Sequence, residues 1–570
     1  MQNVDIARTL NKLADLLEIE GANAFRVRAY RSAAQTVEGL SRSVNDMIKD
    51  GEALSSLPGV GDDLADKIET LVRTGSLPAL KEAEQKTPQG LLQLLRIGQL
   101  GPRRVKTLHD KLGIDSLEAL RQAAREGKIS ALSGFGKKTE EKILEEAGRI
   151  DEREQRITLN EAEQAADALI AYLKQLAGID QVTVAGSYRR GRETVGDLDI
   201  LVTCDDDRAA MAHFVAYDSV AEVVSQGHTR ATVHLHSGLQ VDLRAVASES
   251  YGAALHYFTG SQAHNVAVRK IAVAKGLKIN EYGVFRGNER IAGCSEEEVF
   301  AQIGLPWIAP ELRENRGEIE AAQREELPTL VTLDDIRGDL HMHTTASDGK
   351  ASLREMAEAA QQLGYEYIAI TDHSRRLTVA NGLDVKRLRA QMEEIDALNA
   401  ELDGITVLKA SEVDILEDGS LDFPDEVLRE LDVCVFSVHS KFDLSRDQQT
   451  ARVLRAMDNP YVNVFAHPTG RIVNQREGYR IDVEALIRGA RERGVHLEIN
   501  AQPKRMDLND TYARMAKDAG VLLSIDTDSH ATGQLANMHL GIAQARRGWL
   551  EKADVLNTRT LAQLRKALKR

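Results

Sequence analysis

The chain has 570 residues, enough for three or four domains of ordinary size. Hydrophobic residues make up 42% and charged residues 28%, which excludes a collagen, a mucin and a disordered tail, and no apolar run reaches the roughly 18 residues of a membrane span. The net charge of −15 does not exclude nucleic acid, because it is uneven: +1 in residues 1–150, −12 in 151–335 and −4 in 336–570.

Residues 1–150 predict short helices joined by glycine turns. One phrase, a hydrophobic residue followed by two closely spaced glycines and then a helix, begins at Leu57, Ile97 and Leu132. Each copy is typical of a helix-hairpin-helix, whose backbone amides can point at a DNA phosphate. A single copy would more simply be a connector in a helical bundle, but three copies with basic residues downstream favour non-specific DNA contact. The candidate DNA-contacting residues are Gly59, Gly61, Lys67, Gly98, Gly101, Gly134 and Gly136.

Residues 151–305 predict strands that alternate with helices. The β-branched runs are at 181–185, 199–203, 232–236 and 240–246, and Ser237-Gly238 indicates a hairpin between the last two. Residues 306–336 are rich in proline and charge, which is typical of a linker between domains.

Three aspartates of this region form the first set of candidate catalytic residues. Asp197 and Asp199 are two residues apart on one strand and therefore share a face, and Asp242 lies on another strand. Adjacent like charges are costly unless a divalent cation neutralises them, so we expect Mg²⁺ or Mn²⁺ here. Gly186-Ser187 ends a strand upstream in a turn suited to phosphate oxygens. A D-x-D motif alone could lie on a solvent-exposed edge strand. Its combination with Gly186-Ser187 and Asp242 favours the palm of a nucleotidyltransferase.

Residues 337–570 repeat strand and helix, with candidate strands at 337–341, 366–371, 405–411, 432–437, 462–466, 495–499 and 521–526. Seven strands with helical crossovers predict a closed parallel barrel, that is, a (β/α)7 fold.

Imidazoles and carboxylates follow nearly every one of these strands. In a parallel barrel such positions meet at one rim, so we expect a site for two or three Zn²⁺, Mn²⁺ or Fe ions. Any one of these histidines could be an ordinary buried or surface residue, but the joint pattern has no comparable structural explanation. The candidate ligands are His341, His343, Asp348, His373, Glu412, His439, His467, Asp528 and His530.

The middle region resembles the family X DNA polymerases. Their motifs are matched by Gly186–Gly191, Gly196–Asp199, Asp242–Arg244 and Tyr257–Ser261, and the helix-hairpin-helices in front fit the same family. The resemblance implies that Arg156, Ser187 and Arg190 contact a triphosphate, that Tyr257 and Phe258 line its sugar, and that Asn265 reads the nascent base pair. The full set implied for nucleotide binding is Arg156, Gly186, Ser187, Arg190, Tyr257, Phe258, Gly260, Asn265 and Arg269.

The barrel segment resembles the PHP (polymerase and histidinol phosphatase) family, and all nine metal-binding positions of that family are filled. This favours an active hydrolase. Arg471 and Lys441 are candidates for holding the scissile phosphate, although a solvated surface charge is an equally good interpretation of both.

Together the resemblances imply a multidomain protein that extends primers and hydrolyses DNA. The expected domains are an α-helical domain (1–85), a fingers-like domain (86–150), an α/β palm (151–250), a thumb-like subdomain (251–310), a linker (311–336) and the PHP barrel (337–570). The expected function is gap-filling DNA synthesis in repair with 3′–5′ exonuclease activity, and 3′-phosphatase or apurinic-site endonuclease activity stays open. Two alternatives remain: a small-molecule phosphatase barrel fused for other reasons, and a DNA-binding scaffold with an inert palm.

The expected partners are gapped or primer-template DNA and dNTPs, with no membrane, and the expected form is a monomer. The N-terminus predicts an amphipathic helix without a signal-peptide core, and three well-separated cysteines exclude a disulfide scaffold. We therefore expect a cytoplasmic, nucleoid-associated protein.

The resemblance also implies a lysine, Lys67, that could excise a 5′-deoxyribose phosphate through a Schiff base. Such a lysine must be partly neutral, but Asp62, Asp63 and Asp66 surround it in sequence and favour the protonated amine. The sequence therefore predicts weak or absent lyase activity.

Overall fold

The protein is described from a computed structural model that covers residues 1, 3–40, 42–88, 90–94, 97, 100–132, 134–153 and 156–569. These residues form two compact units, 1–155 and 156–570. Among them, no helix has both the length and the apolar character needed to cross a bilayer.

The first unit is helical. Its helices are α1 (Asn3–Glu20), α2 (Ala24–Gly39), α3 (Val44–Lys49), α4 (Asp62–Thr74), α5 (Pro78–Lys86), α6 (Gly90–Leu94), α7 (Pro102–Leu112), α8 (Leu117–Arg125) and α9 (Lys137–Arg153), with a 3₁₀ turn at Leu54–Ser56. Two hydrophobic clusters hold it together, one mainly among α1 to α5 and the other mainly among α6 to α9.

Helix α4 shows how the sequence specifies these elements. Leu64, Ile68 and Leu71 follow one another at helical spacing and are buried. Asp62 and Asp63 lie in the first turn, where negative charge stabilises a helix, and Gly75 ends the helix in the left-handed conformation (φ 67°).

The second unit begins with the palm and thumb. Its first strands are β1 (Ile157–Thr158), β2 (Ile179–Val184), β3 (Thr194–Val195), β4 (Asp197–Cys204), β5 (Val220–Gln226), β6 (Arg230–Leu235), β7 (Gln240–Ala245), β8 (Lys278–Asn280), β9 (Gly283–Arg286) and β10 (Glu289–Ala292). Its first helices are α10 (Leu159–Leu173), α11 (Gly186–Arg189), α12 (Asp207–Val215), α13 (Tyr251–Thr259), α14 (Gln262–Ala274), α15 (Glu296–Gln302) and α16 (Glu318–Gln323). Short 3₁₀ turns occur at Ser248–Ser250, Pro310–Leu312 and Leu333–Asp335.

The palm is a five-stranded sheet in the order β2-β4-β7-β6-β5, and β4 and β7 are parallel. Helices α10 and α12 supply apolar residues to its core. The order places the strand that carries the D-x-D motif beside the strand that carries Asp242.

The segment expected as a linker is packed rather than extended. Helix α16 lies within it, and Arg313 is fully buried with its guanidinium paired to Glu296 (Nη2 to Oε2 3.0 Å).

The barrel completes the second unit. Its strands are β11 (Gly338–Met342), β12 (Tyr367–Ile370), β13 (Thr406–Asp414), β14 (Val433–Ser437), β15 (Val464–Phe465), β16 (His496–Asn500) and β17 (Leu523–Asp526). Its helices are α17 (Leu353–Gln362), α18 (Val385–Glu401), α19 (Asp425–Leu428), α20 (Arg446–Met457), α21 (Val483–Arg493), α22 (Asp510–Asp518), α23 (Met538–Arg547) and α24 (Leu561–Ala567). The 3₁₀ turns here are Thr378–Ala380, Thr532–Asn537, Lys552–Asp554 and Leu556–Thr558.

All seven barrel strands are parallel and neighbour one another in chain order. A parallel bridge between Met342 and Ser529 links the first strand to the residues after the last, so the sheet is nearly closed. The predicted multidomain fold with a (β/α)7 barrel is thereby confirmed. Its consequence for chemistry is that the residues after each strand share one rim.

Candidate active sites

The palm aspartates lie side by side on two parallel strands. Asp199 on β4 is directly opposite Asp242 on β7, and Asp197 is opposite Gln240. Burial, and then the charges of Asp197 and Asp242, raise the pKa of Asp199 to about 7, and burial and Asp242 also raise the pKa of Asp197. These raised pKa values reflect burial and mutual repulsion of the carboxylates, which a divalent cation would relieve, so Asp197 and Asp199 fit the predicted metal.

Asp242 is held by neutral and positive donors. Although burial acts to raise its pKa, hydrogen bonds from Thr232 (2.6 Å), Gln240 (2.9 Å) and Arg230 (3.0 Å) lower it. Among the described residues, the palm aspartates do not form a group of three donors within 4.8 Å of one another.

The predicted phosphate turn lies beside the aspartates. Gly186 begins it with φ 63°, and a side chain there would bring a Cβ within 2.8 Å of the Asp199 Oδ2 atom, so glycine is required. Ser187 is half-buried in the same turn.

The two arginines predicted to contact triphosphate donate hydrogen bonds to other groups of the protein. The Arg190 guanidinium donates to Glu314 (3.0 Å) and to the Thr259 carbonyl (2.8 Å). The Arg156 guanidinium donates to the side chain of Thr194 (2.9 Å) and to its carbonyl.

The predicted sugar and base contacts lie on α13 and α14. Tyr257 and Phe258 pack edge to face, and the Arg244 guanidinium lies 4.3 Å from the Phe258 ring centre. The Asn265 amide donates to the carbonyls of Tyr257 (2.7 Å) and Gly260 (3.1 Å). A Cβ at Gly260 would lie 2.6 Å from the Asn265 Oδ1 atom, which explains the glycine.

Arg269 follows Asn265 by one helical turn, and its Nε donates to the Asn265 carbonyl (3.2 Å). The structure therefore brings the sequence-predicted nucleotide residues of the thumb together on two adjoining helices.

All nine predicted barrel ligands lie at the same rim. The buried carboxylate of Glu412 is central to them. Its oxygens lie 2.8 to 3.6 Å from ring nitrogens of five histidines: His341, His343, His373, His439 and His467. Two more predicted ligands, Asp348 and His530, contact each other (His530 Nε2 to Asp348 Oδ2, 3.5 Å), and Asp528 lies 3.3 Å from His343 Nε2.

The rim residues form three overlapping groups that could each hold an ion: His343, Asp348, His373 and His530; His341, His343 and Asp528; and His373, Glu412 and His439. The donor chemistry fits a metal, because buried ring nitrogens of His341, His343 and His467 have no hydrogen-bond partner among the described residues. Burial and the neighbouring His373 lower the pKa of His343 to about 4, which keeps the imidazole in the neutral form that binds metal.

Residues behind the ligands fix their orientation. His341 Nδ1 lies 2.6 Å from Glu498 Oε1, and His439 Nδ1 lies 3.3 Å from Asp414 Oδ1. Such contacts orient a metal-bound imidazole. Glu498 could have been sought from the sequence, because it stands in a barrel strand where a buried carboxylate needs a partner.

Both cations that the sequence offered as candidates for the scissile phosphate are paired with carboxylates. Arg471 is paired with Glu193 of the palm (Nη1 to Oε1 3.1 Å), and Lys441 is paired with Glu417 at the surface (3.1 Å). Arg505, which the sequence did not indicate, is ion-paired with the predicted ligand Asp528 (Nε to Oδ2 3.4 Å). Burial and the charge of Arg505 lower the pKa of His467 to about 3.

In the first unit, the glycine turns have the expected geometry where they are described. Gly59 (φ 76°) and Gly134 (φ 90°) are left-handed, and Gly61 and Gly101 are the residues that precede α4 and α7. Gly136 directly precedes α9. Gly98 lies outside the described residues. Lys67 is on α4, paired with Asp63.

Family models cover most of the chain. The DNA polymerase beta palm matches residues 156–253, the DNA polymerase beta thumb 254–314 and the PHP domain 339–502. A helix-hairpin-helix domain matches 1–77, and a SAM-like helix-hairpin-helix tandem matches 91–149. The predicted ligands Asp528 and His530 lie beyond the matched PHP range.

Three curated relatives match this chain over different shares of its length. "DNA polymerase/3'-5' exonuclease PolX" of Bacillus subtilis (strain 168) is 40% identical over 574 residues, covering 100% of both chains. "DNA polymerase lambda" of Arabidopsis thaliana is 25% identical over 55% of this chain and 62% of its own length. A "Probable phosphatase" of Thermoanaerobacter sp. (strain X514) is 29% identical over 39% of this chain and 89% of its own length. With palm, thumb and PHP domains in one chain and full-length similarity to the Bacillus protein, this chain belongs to the PolX family of DNA polymerases.

Proposed function

We propose that this chain fills short gaps in DNA during repair with its palm and removes nucleotides from 3′ ends with its barrel. The observation that carries the proposal is that the second unit contains two separate sets of side chains whose chemistry suits divalent metal ions. One set surrounds Glu412 in the barrel, and the other pairs Asp199 with Asp242 in the palm.

In the palm, Asp197, Asp199 and Asp242 would hold Mg²⁺ or Mn²⁺, and bound ions supply charge neutralisation for the triphosphate and the primer hydroxyl. The backbone amides of Gly186 and Ser187 bind phosphate oxygens, and Asp242 accepts the proton of the primer 3′-hydroxyl. Tyr257 and Phe258 form the wall against the sugar. The two aromatic rings and the Asn265 amide fix where the nucleotide lies.

In the barrel, the nine rim residues would hold two or three ions of Zn²⁺, Mn²⁺ or Fe, which supply an activated water when bound. Glu498 and Asp414 keep the ligand imidazoles oriented. Arg505 offers positive charge beside Asp528 and holds the scissile phosphate.

The remaining assignments are part of the same proposal. The domain limits are those expected from the sequence, and the first unit contacts DNA through its glycine turns. The substrates are gapped or primer-template DNA and dNTPs, and the protein acts as a monomer in the cytoplasm, at the nucleoid.

A second candidate is a barrel that hydrolyses small phosphomonoesters. The similarity of the barrel to proteins named as phosphatases favours it. Release of a 3′-phosphate from DNA would combine both candidates in one activity.

The test uses a 5′-labelled primer on gapped DNA with Mn²⁺, with and without dNTPs. We expect longer products with dNTPs and shorter products without them. An unchanged primer together with rapid release of phosphate from a small phosphomonoester would favour the second candidate, and no reaction in any assay would contradict both.

A further inference from the structure

Five buried or half-buried charges of alternating sign run from the palm into the barrel. We call them the charge chain: Arg190, Glu314, Arg547, Asp510 and Arg316. Successive members are joined by ion pairs of 2.7 to 3.0 Å. Burial acts to raise the pKa of Glu314, but the charges of Arg547 and Arg190 lower it to about 2, so this carboxylate is ionised at neutral pH.

Arg547 occupies the middle of the charge chain and belongs to the barrel helix α23. Its Nη1 donates both to Glu314 (3.0 Å) and to the backbone carbonyl of Arg190 (2.9 Å). Its Nη2 donates to Asp510 (2.7 Å), which is anchored by Arg316 (2.9 Å). A barrel side chain thus holds the Arg190 backbone directly and the Arg190 side chain through Glu314.

The same helix packs against the end of the phosphate turn. A Cβ at Gly191 (φ 62°) would lie 3.1 Å from that of Ala543, and Gln544 donates to Glu193 (3.3 Å). At its other end the turn meets Asp199, because a Cβ at Gly186 would lie 2.8 Å from the Asp199 carboxylate. The turn therefore lies between a palm carboxylate and the barrel.

We propose that Arg547 is a positioning residue of the palm site, which fixes the phosphate turn for the incoming dNTP. This rests on the proposed function of the palm. Truncating Arg547 leaves Glu314 and Asp510 with fewer partners and releases the Arg190 carbonyl, so the turn loses its fixed position. Because Arg547 lies on the outer helices and touches no rim ligand, hydrolysis in the barrel does not depend on it.

The experiment measures single-nucleotide gap filling and exonuclease activity on the same DNA for the full chain. Arg547→Met should raise KM for the dNTP at least tenfold, lower kcat less than threefold and leave hydrolysis within twofold. Arg547→Lys keeps the charge but cannot make all three contacts, so its KM for the dNTP should lie between the values of the wild type and of Arg547→Met. Arg546→Gln is the matched control, because Arg546 directly precedes Arg547 on α23 and pairs instead with Glu311 (2.7 Å); the KM of this variant should stay within twofold of the wild type.

An unchanged KM in Arg547→Met, with wild-type extension intact, would overturn the inference. If Arg547→Met loses hydrolysis as well, it has misfolded and Arg547→Lys decides: a raised KM supports the inference and a wild-type KM overturns it. If the wild type does not extend primers at all, the proposed function fails and this inference fails with it.

Discussion

The carboxylate of Glu193 in the palm accepts hydrogen bonds from the guanidinium of Arg471 in the barrel (Nη1 to Oε1 3.1 Å), although the two residues are 278 positions apart. The Nε of Arg471 also donates to the Arg505 carbonyl (3.1 Å). Arg471 is therefore part of the contact between palm and barrel, rather than a free cation awaiting a phosphate.

The first prediction concerns this pair. Glu193→Gln should lower the free energy of unfolding of the second unit by about 1–3 kcal/mol, because it leaves a largely buried guanidinium without its charge partner. Hydrolysis should stay within twofold. Glu417→Gln is the control, since it breaks the exposed pair with Lys441 and should cost less than about 1 kcal/mol. Chemical denaturation checks both, and equal losses would contradict the account.

Arg505 gives the second prediction. Arg505→Gln should slow phosphodiester hydrolysis about 10- to 100-fold, because a charged donor beside the ligand Asp528 stabilises the developing negative charge. Lys441→Gln should leave the rate within twofold, since Lys441 is paired at the surface with Glu417. Metal content, measured by elemental analysis, should be unchanged in both. A slow Lys441 variant with a normal Arg505 variant would reverse the assignment.

The seven barrel strands and the nine rim residues were predictable, because β-branched runs end in imidazoles or carboxylates and parallel strands bring such ends together. Strand β5 was not predicted: it is an edge strand with mostly exposed or half-exposed side chains, and Glu222, Ser225 and Gln226 interrupt or end its apolar residues.

Ion pairs between residues distant in sequence could not be predicted either. The pairing of Arg190 with Glu314 and Arg547 depends on three segments that meet only in the folded unit. No spacing pattern in the sequence marks Arg505, because it follows strand β16, which ends without a predicted metal ligand. Motifs thus indicated the candidate metal ligands, whereas the tertiary structure shows which cations are paired with carboxylates.

The third prediction is a pH dependence of stability. The pKa of Glu314 is lowered from its ordinary 4.5 to about 2, so its stabilisation is complete above about pH 4.5 and is lost as the pH falls toward 2. Glu314→Gln lacks this dependence. The difference in unfolding free energy between wild type and variant should therefore narrow by about 1 kcal/mol from pH 6 to pH 3.5. Urea denaturation at both pH values checks this, and a constant or widening difference would contradict it.

Lys67 provides the fourth prediction. Partial burial acts to lower its pKa, but hydrogen bonding to Asp63 raises it above the ordinary value, so the amine stays protonated and is a poor nucleophile. Borohydride trapping on a 5′-incised abasic substrate should yield little adduct in the wild type and severalfold more in Asp63→Asn. Lys67→Ala should give none in either background. A strong wild-type adduct that disappears in Lys67→Ala would show that the aspartate does not suppress the reaction.

The most direct test of two independent centres compares two variants on one 5′-labelled gapped substrate. Asp197→Asn/Asp199→Asn should lose more than 99% of nucleotide addition and keep exonuclease activity within twofold, because the barrel residues are untouched. His343→Ala, which removes a predicted ligand shared by two rim groups, should lose exonuclease activity and bound metal while it still extends the primer. Loss of both activities in either well-folded variant, or extension by the double variant, would contradict the account.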